Sequence, residues 1–260
     1  MKEPDIDSDT LQLESDIVEP VRRRGIYLLP NLLTTGGLFA GFYAIVSGMK
    51  GHFEPAAIAL FVAMIMDTLD GRVARLTNTE SAFGAQYDSL SDMICFGLAP
   101  ALVSYNWGLT HFGKLGWLAA FIYTAATALR LARFNTKLGQ ADPRYFIGLP
   151  CTAAAPVVAG LVWLGTDLDI SARRISLIVA LILVSLGALM VSNLRYYSFK
   201  EIDFKGHVPF FAVLVVVLIF SVIAWNPPSV LFVVFFLYAL SGPGMWLKNR
   251  YKSGKSQGRA

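Results

Sequence analysis

From Val208 to Trp225 the chain reads VPFFAVLVVVLIFSVIAW, without a single charge. A soluble domain has no place for repeated runs of this kind, whereas a bilayer core requires them at about 20 residues each. Comparable runs cover 29–48, 54–76, 86–106, 115–134, 148–166, 173–193, 208–225 and 228–246. Charged residues make up only 15% of the sequence, too few to coat a soluble globule. The expectation is an all-α polytopic membrane protein of about eight transmembrane helices.

Flanking charge divides and orients the chain. Residues 1–25 form an acidic N-terminal tail (Glu3, Asp5, Asp7, Asp9, Glu14, Asp16, Glu19) closed by a basic juxtamembrane segment, Arg22 to Arg24. With no basic residues opening an apolar stretch, this is not a cleavable signal peptide. The arginines read equally as a membrane-surface anchor or as a topogenic signal. Residues 26–248 hold the spans, and 249–260 form a basic tail. With both ends cytoplasmic, 18 of the 22 Lys and Arg lie on the inner side, leaving Lys50, Lys114, Arg173 and Arg174 outside. That asymmetry predicts an N-in, C-in protein of the bacterial inner membrane. Trp107, Trp117, Trp163 and Trp225 fall near outer span ends, as an aromatic belt does. The net charge of +4 follows from topology and contact with anionic lipid, and implies no nucleic-acid partner.

Cys95 and Cys151 have no metal or redox spacing and read as small core residues. His52, His111 and His207 sit in loops without partner ligands. Gly36/Ala40 and Gly37/Gly41 give small-xxx-small spacing on the first span, suited to close packing within the chain or in a homodimer.

Against this apolar background stands DTLDGRVARLTNTESAFGAQYDSLSD, residues 67–92. Of 18 acidic residues, only Asp67, Asp70, Asp88 and Asp92 lie well inside expected spans. Each costs roughly 2.5–3.5 kcal/mol on insertion scales, so intramembrane carboxylates point to function. Asp67, Asp70, Gly71 and Ala74 share one face of the second helix; Gly84, Asp88 and Asp92 share one face of the third. About the turn TNTES, centred on Thr79, Asp70 comes level with Asp88, and Asp67 with Asp92. Four carboxylates therefore converge, with Gly71, Ala74 and Gly84 letting the backbones approach. Like charges about 4 Å apart repel by about 4 kcal/mol at an effective dielectric near 20. Hard divalent cations, Mg or Mn, relieve this through oxygen ligands, and a pair of them suits a phosphoryl substrate. Arg75 lies on the same face and could hold a diphosphate oxygen; Arg72 has a plainer role as a snorkelling residue.

The pattern Asp67-x2-Asp70-Gly71-x2-Ala74-Arg75-x8-Gly84-x3-Asp88-x3-Asp92 resembles the signature of the CDP-alcohol phosphotransferase family, at all eight positions and with the same gaps. The resemblance implies that family's helical bundle. It implies that Asp67, Asp70 and Asp88 bind two divalent cations and that Asp92 is the general base toward the acceptor alcohol. It further implies that Gly71, Ala74 and Gly84 line the nucleotide site and that Arg75 contacts the diphosphate.

Three shorter stretches resemble the family's phosphatidylserine synthase branch: PNLLT (Pro30, Asn31, Thr34), RLARFN (Arg130, Arg133, Phe134, Asn135) and IGLP (Gly148, Pro150). That likeness implies CDP-diacylglycerol as donor, with Asn31 and Thr34 on its nucleotide side, and L-serine as acceptor. Arg130, Arg133 and Asn135 could bind the serine carboxylate; as topogenic charges, Arg133 and its neighbours would also be ordinary. An acceptor such as glycerol 3-phosphate or an inositol phosphate is the alternative, and its extra phosphate calls for more cationic residues. A cation transporter would spread its acids along a path, whereas here all four lie on one hairpin.

Overall fold

The computed structural model describes residues 28–136, 145–197 and 210–257, and it is helical almost throughout. Helix α1 (Leu28–Met49) is followed after a short turn by α2 (Phe53–Leu76). Next comes α3 (Ala82–Asp92), which runs on through a π-helical segment (Met93–Leu98), α4 (Ala99–Ser104), a second π segment (Tyr105–Leu109) and a 3₁₀ turn (Thr110–Phe112). Gly113, at φ +59°, turns the chain into α5 (Gly113–Thr136). Then follow β1 (Tyr145–Ile147), α6 (Cys151–Asp167), α7 (Ser176–Val191), β2 (Arg195–Tyr197), α8 (Phe210–Trp225) and α9 (Pro227–Gln257).

Helices fall on all eight apolar segments. Three helical stretches are long and apolar enough by themselves to cross a membrane: Leu28–Met49, the continuous Ala82–Thr136 of 55 residues, and Pro227–Lys248. Shorter apolar helices are Cys151–Asp167, Ser176–Val191 and Leu214–Trp225. The chain is thus an integral membrane protein built as a helical bundle. The acidic tail, Arg22 to Arg24, the basic residues of 137–144 and His207 lie outside the described residues, while the basic C-terminal segment continues α9 as helix to Gln257.

Small residues set the packing around the site. The pair α1–α2 is the closest in the bundle; α2 also packs on α6, α6 on α9, and α5 on α7. Gly37 faces Met66 and the Ala63 carbonyl of α2. At Gly41 a Cβ would stand 2.8 Å from Cys95 Sγ, and Cys95 donates to the Gly37 carbonyl at 3.3 Å. The small-xxx-small face is therefore used inside the chain. Cys95 and Cys151 are free and buried, as small core residues are. Of the four tryptophans expected near outer span ends, Trp117 and Trp225 are exposed and Trp163 is partly buried beside Phe61, whereas Trp107 is buried. Its ring is buried against Gly165, where a side chain would collide with it, so shape and not interfacial polarity fixes it.

The two strands form an antiparallel clasp, pairing Tyr145 with Tyr197, Phe146 with Tyr196 and Ile147 with Arg195. Tyr196 is fully buried beneath Gly242 of α9 and donates to the Ala239 carbonyl at 3.0 Å. Gly148, at φ +79°, turns the chain from β1 toward α6 while its N–H reaches the Leu194 carbonyl at 2.8 Å. A side chain there would meet the Met190 carbonyl, so both conformation and space require glycine.

Candidate active site

The hairpin α2–α3 carries the four aspartates, and its turn explains their register. Helix α2 ends in a Schellman arrangement: Asn78 takes the left-handed conformation at φ 51°, and the Thr79 N–H returns to the Ala74 carbonyl at 3.0 Å. Ser81 then caps α3, its hydroxyl accepting from the Gly84 N–H at 3.0 Å. Thr77 and Thr79 hydroxyls meet at 2.7 Å across the turn. Two standard helix ends joined back to back thus set the antiparallel alignment predicted from TNTES.

Depth pairing follows as expected. Asp67 and Asp92 are in hydrogen-bonding contact, and Asp88 stands beside both Asp70 and Asp67. Carboxylate oxygens of Asp67, Asp70 and Asp88 all lie within 4.8 Å of one another. An oxygen-only donor set at that spacing fits a hard divalent cation. Immediately after Asp92 the helix widens into the π segment, a distortion common at functional sites. Tyr123 of α5 donates to the Phe96 carbonyl at 3.0 Å and steadies that widened turn.

All four aspartates line one cavity of about 770 Å³. Gly71, Arg72 and Arg75 of α2 stand beside them, and nothing lies within 4 Å of where a Gly71 Cβ would be. The lining is completed by Arg130 and Phe134 of α5, Phe146 of β1, Cys151 and Thr152 at the start of α6, and Phe235 and Tyr238 of α9. The α2–α3 hairpin thus contributes the carboxylates and two guanidinium groups, while the other elements contribute mostly apolar side chains and Arg130. Arg72, read from sequence as a snorkelling residue, belongs to the cavity lining.

The remaining expected residues divide. Gly84 meets Asn31, whose Oδ1 would be 3.4 Å from a Cβ there, so α1 and α3 start in contact. Thr34 is buried and donates to Asp70 Oδ2 at 2.7 Å. Ala74 is half-buried on the aspartate helix, one turn from Asp70. Of RLARFN, Arg130, Leu131 and Phe134 line the cavity; Arg133 and Asn135 are not among its lining residues. Arg130 Nη1 donates to Cys151 Sγ at 3.1 Å, and its Nε is enclosed with no hydrogen-bond partner among the described residues. Arg133 instead closes the carboxyl end of α7, bonding Val191 O at 3.2 Å and Asn193 Oδ1 at 2.6 Å. Asn135 bonds Ser89 of α3 at 3.1 Å.

Sequence reading did not find Phe235 and Tyr238, because one aromatic in an apolar span looks like any other. Tyr238 has a signature only in three dimensions: its hydroxyl donates to the Tyr197 carbonyl at 3.0 Å, and its ring lies 5.7 Å from that of Tyr196.

Comparison with known proteins settles the family. The sequence profile of the CDP-alcohol phosphatidyltransferase family matches residues 27–186. The chain belongs to that family. It is 39% identical over 223 residues to a CDP-diacylglycerol–serine O-phosphatidyltransferase of Helicobacter pylori, spanning 85% of this chain and 92% of the relative. A protein of the same name from Mycobacterium tuberculosis is 40% identical over 153 residues, 56% of this chain and 53% of the relative. An archaetidylserine synthase of Methanothermobacter thermautotrophicus is 33% identical over 170 residues, 65% of this chain and 69% of the relative.

Proposed function

We propose that this protein is a phosphatidylserine synthase, transferring the phosphatidyl group of CDP-diacylglycerol to the hydroxyl of L-serine and releasing CMP. The observation that carries the reading is one cavity lined both by the four carboxylates of the hairpin and by Arg130 of α5. The names of relatives matching across most of their length support the substrates.

On the donor side, Asp67, Asp70 and Asp88 would hold two divalent cations, Mg or Mn, and Arg75 holds a diphosphate oxygen. Bound cations supply charge neutralisation on the diphosphate and on the departing phosphate of CMP. Asn31, Gly71, Ala74 and Gly84 form the nucleotide side, where Gly84 packs against Asn31 and Gly71 leaves open space. On the acceptor side, Arg130 takes the serine carboxylate; an enclosed guanidinium N–H without an acceptor is the kind of atom a bound anion satisfies. Arg133 and Asn135 support this side by holding α7 and α3 against α5. The serine hydroxyl oxygen attacks the phosphorus bearing diacylglycerol, Asp92 accepts the hydroxyl proton, and the bond from that phosphorus to the oxygen of CMP breaks. Both substrates then meet in one displacement, with no covalent enzyme intermediate.

The site opens to the cytoplasm of a bacterial inner membrane, with both termini on that side and eight crossings between them. The 26–248 block is the transmembrane catalytic domain, flanked in sequence by the acidic N-terminal tail 1–25 and the basic tail 249–260; a second copy of the chain is a candidate partner. Purified protein given CDP-diacylglycerol, a divalent metal and a panel of alcohols tests the reading through CMP release. L-Serine should be the preferred acceptor; faster release with glycerol 3-phosphate would displace serine and leave the family chemistry standing.

A further inference from the structure

The PNLLT likeness puts Thr34 on the nucleotide side, but its surroundings point elsewhere. We propose that Thr34 is a positioning residue that aims the Asp70 carboxylate, and that it does not touch the nucleotide. This rests on the reading above of Asp67, Asp70 and Asp88 as a cation site.

Three observations carry it. First, Thr34 is 6% exposed and Asp70 is 5% exposed, and the hydroxyl lies 2.7 Å from Asp70 Oδ2. Second, that hydroxyl also stands 3.1 Å from the Pro30 carbonyl, the usual partner of a threonine inside a helix. A hydroxyl has one proton, and the shorter bond runs to the carboxylate, the stronger acceptor. Third, Thr34 is absent from the lining of the 770 Å³ cavity. It lines a separate crevice of about 10 Å³, shared with all four aspartates, Gly37, Ser91 and Cys95, which has room for one water molecule at most. Thr34 therefore reaches Asp70 from α1 without itself lining the substrate cavity. With Oδ2 held by the Thr34 hydroxyl, the carboxylate is fixed in rotation beside Asp67 and Asp88.

The test is Thr34→Val, which keeps shape and loses the donor, beside Thr34→Ser, which keeps the donor. Mn²⁺ binding to the purified protein is read by electron paramagnetic resonance of the free ion, without substrate, and steady-state KM values are read separately. Thr34→Val should weaken Mn²⁺ binding by about 10-fold or more, the usual cost of losing a group that orients a ligand, and Thr34→Ser should restore it. The CDP-diacylglycerol KM at saturating metal should stay within about twofold. Unchanged Mn²⁺ binding with a raised donor KM would overturn the proposal and return Thr34 to the nucleotide. Should Thr34→Val not accumulate as folded protein, Thr34→Ala is read in the same way. Failure of wild-type protein to bind Mn²⁺ at all would instead bring down the cation-site reading.

Discussion

Replacing Arg130 with alanine separates binding from scaffolding most cleanly, because Arg133 offers an internal control three residues away. Arg130 lines the cavity with an enclosed Nε that has no hydrogen-bond partner among the described residues, whereas Arg133 bonds the end of α7. A hydrogen bond to a charged group contributes about 1.5–3 kcal/mol, which is roughly 10- to 150-fold in an equilibrium constant. Arg130→Ala should therefore raise the serine KM by at least about 10-fold, with the CDP-diacylglycerol KM nearly unchanged. Arg130→Lys keeps the charge but loses the planar fork, and should fall between. Arg133→Ala removes contacts to Val191, Ser192 and Asn193 at a half-buried position. It should lower the thermal midpoint, as a loss of about 1 kcal/mol implies, and leave the serine KM within about threefold. The assay is CMP release against serine concentration at saturating donor, beside a thermal melt of the same preparations. Equal rises in serine KM for both alanine variants would refute the division of roles. Wild-type kinetics in Arg130→Ala would show that the carboxylate is held elsewhere.

Asp67→Asn, Asp70→Asn and Asp88→Asn should each abolish turnover and weaken Mn²⁺ binding, measured by titration, since neutral amides cannot balance the cations. Asp92→Asn should lose turnover yet retain more of the metal and nucleotide affinity; near-normal rates would remove it as the base. Gly41→Leu should destabilise the fold by several kcal/mol in chemical denaturation, because even a Cβ there stands 2.8 Å from Cys95 Sγ. Cysteine labelling at Ser256 and His111 should place the first inside and the second outside; outward labelling at 256 would invert the topology.

The catalytic hairpin was legible because its information is local. Carboxylates in an apolar background, i, i+3 and i+4 spacing and a turn with recognisable end signals are all contained in 26 consecutive residues. The packing face of Gly37 and Gly41 was legible, but its partner was not: spacing shows that two backbones approach, and only the fold shows that Met66 and Cys95 meet them. Within RLARFN, sequence alone left Arg133 between serine binding and a topogenic role, and only the fold shows that Arg130 and Arg133 have different neighbours. The wall made by Phe235 and Tyr238 was out of reach, since every face of an apolar span is apolar and hydropathy gives no phase. The π segment after Asp92 and the β1–β2 clasp depend on Tyr123, Tyr196 and Gly242 contacts made across the chain, which no local pattern announces.

The proposed chemistry turns on the serine hydroxyl oxygen attacking the lipid-bearing phosphorus, and an oxygen label follows that atom directly. L-Serine carrying ¹⁸O in its hydroxyl is incubated with CDP-diacylglycerol, divalent metal and purified protein, and both products are weighed by mass spectrometry. The prediction is phosphatidylserine retaining the ¹⁸O in its bridge to phosphorus, together with unlabelled CMP in equal amount. Label in the nucleotide product, or a lipid product without it, would contradict the account.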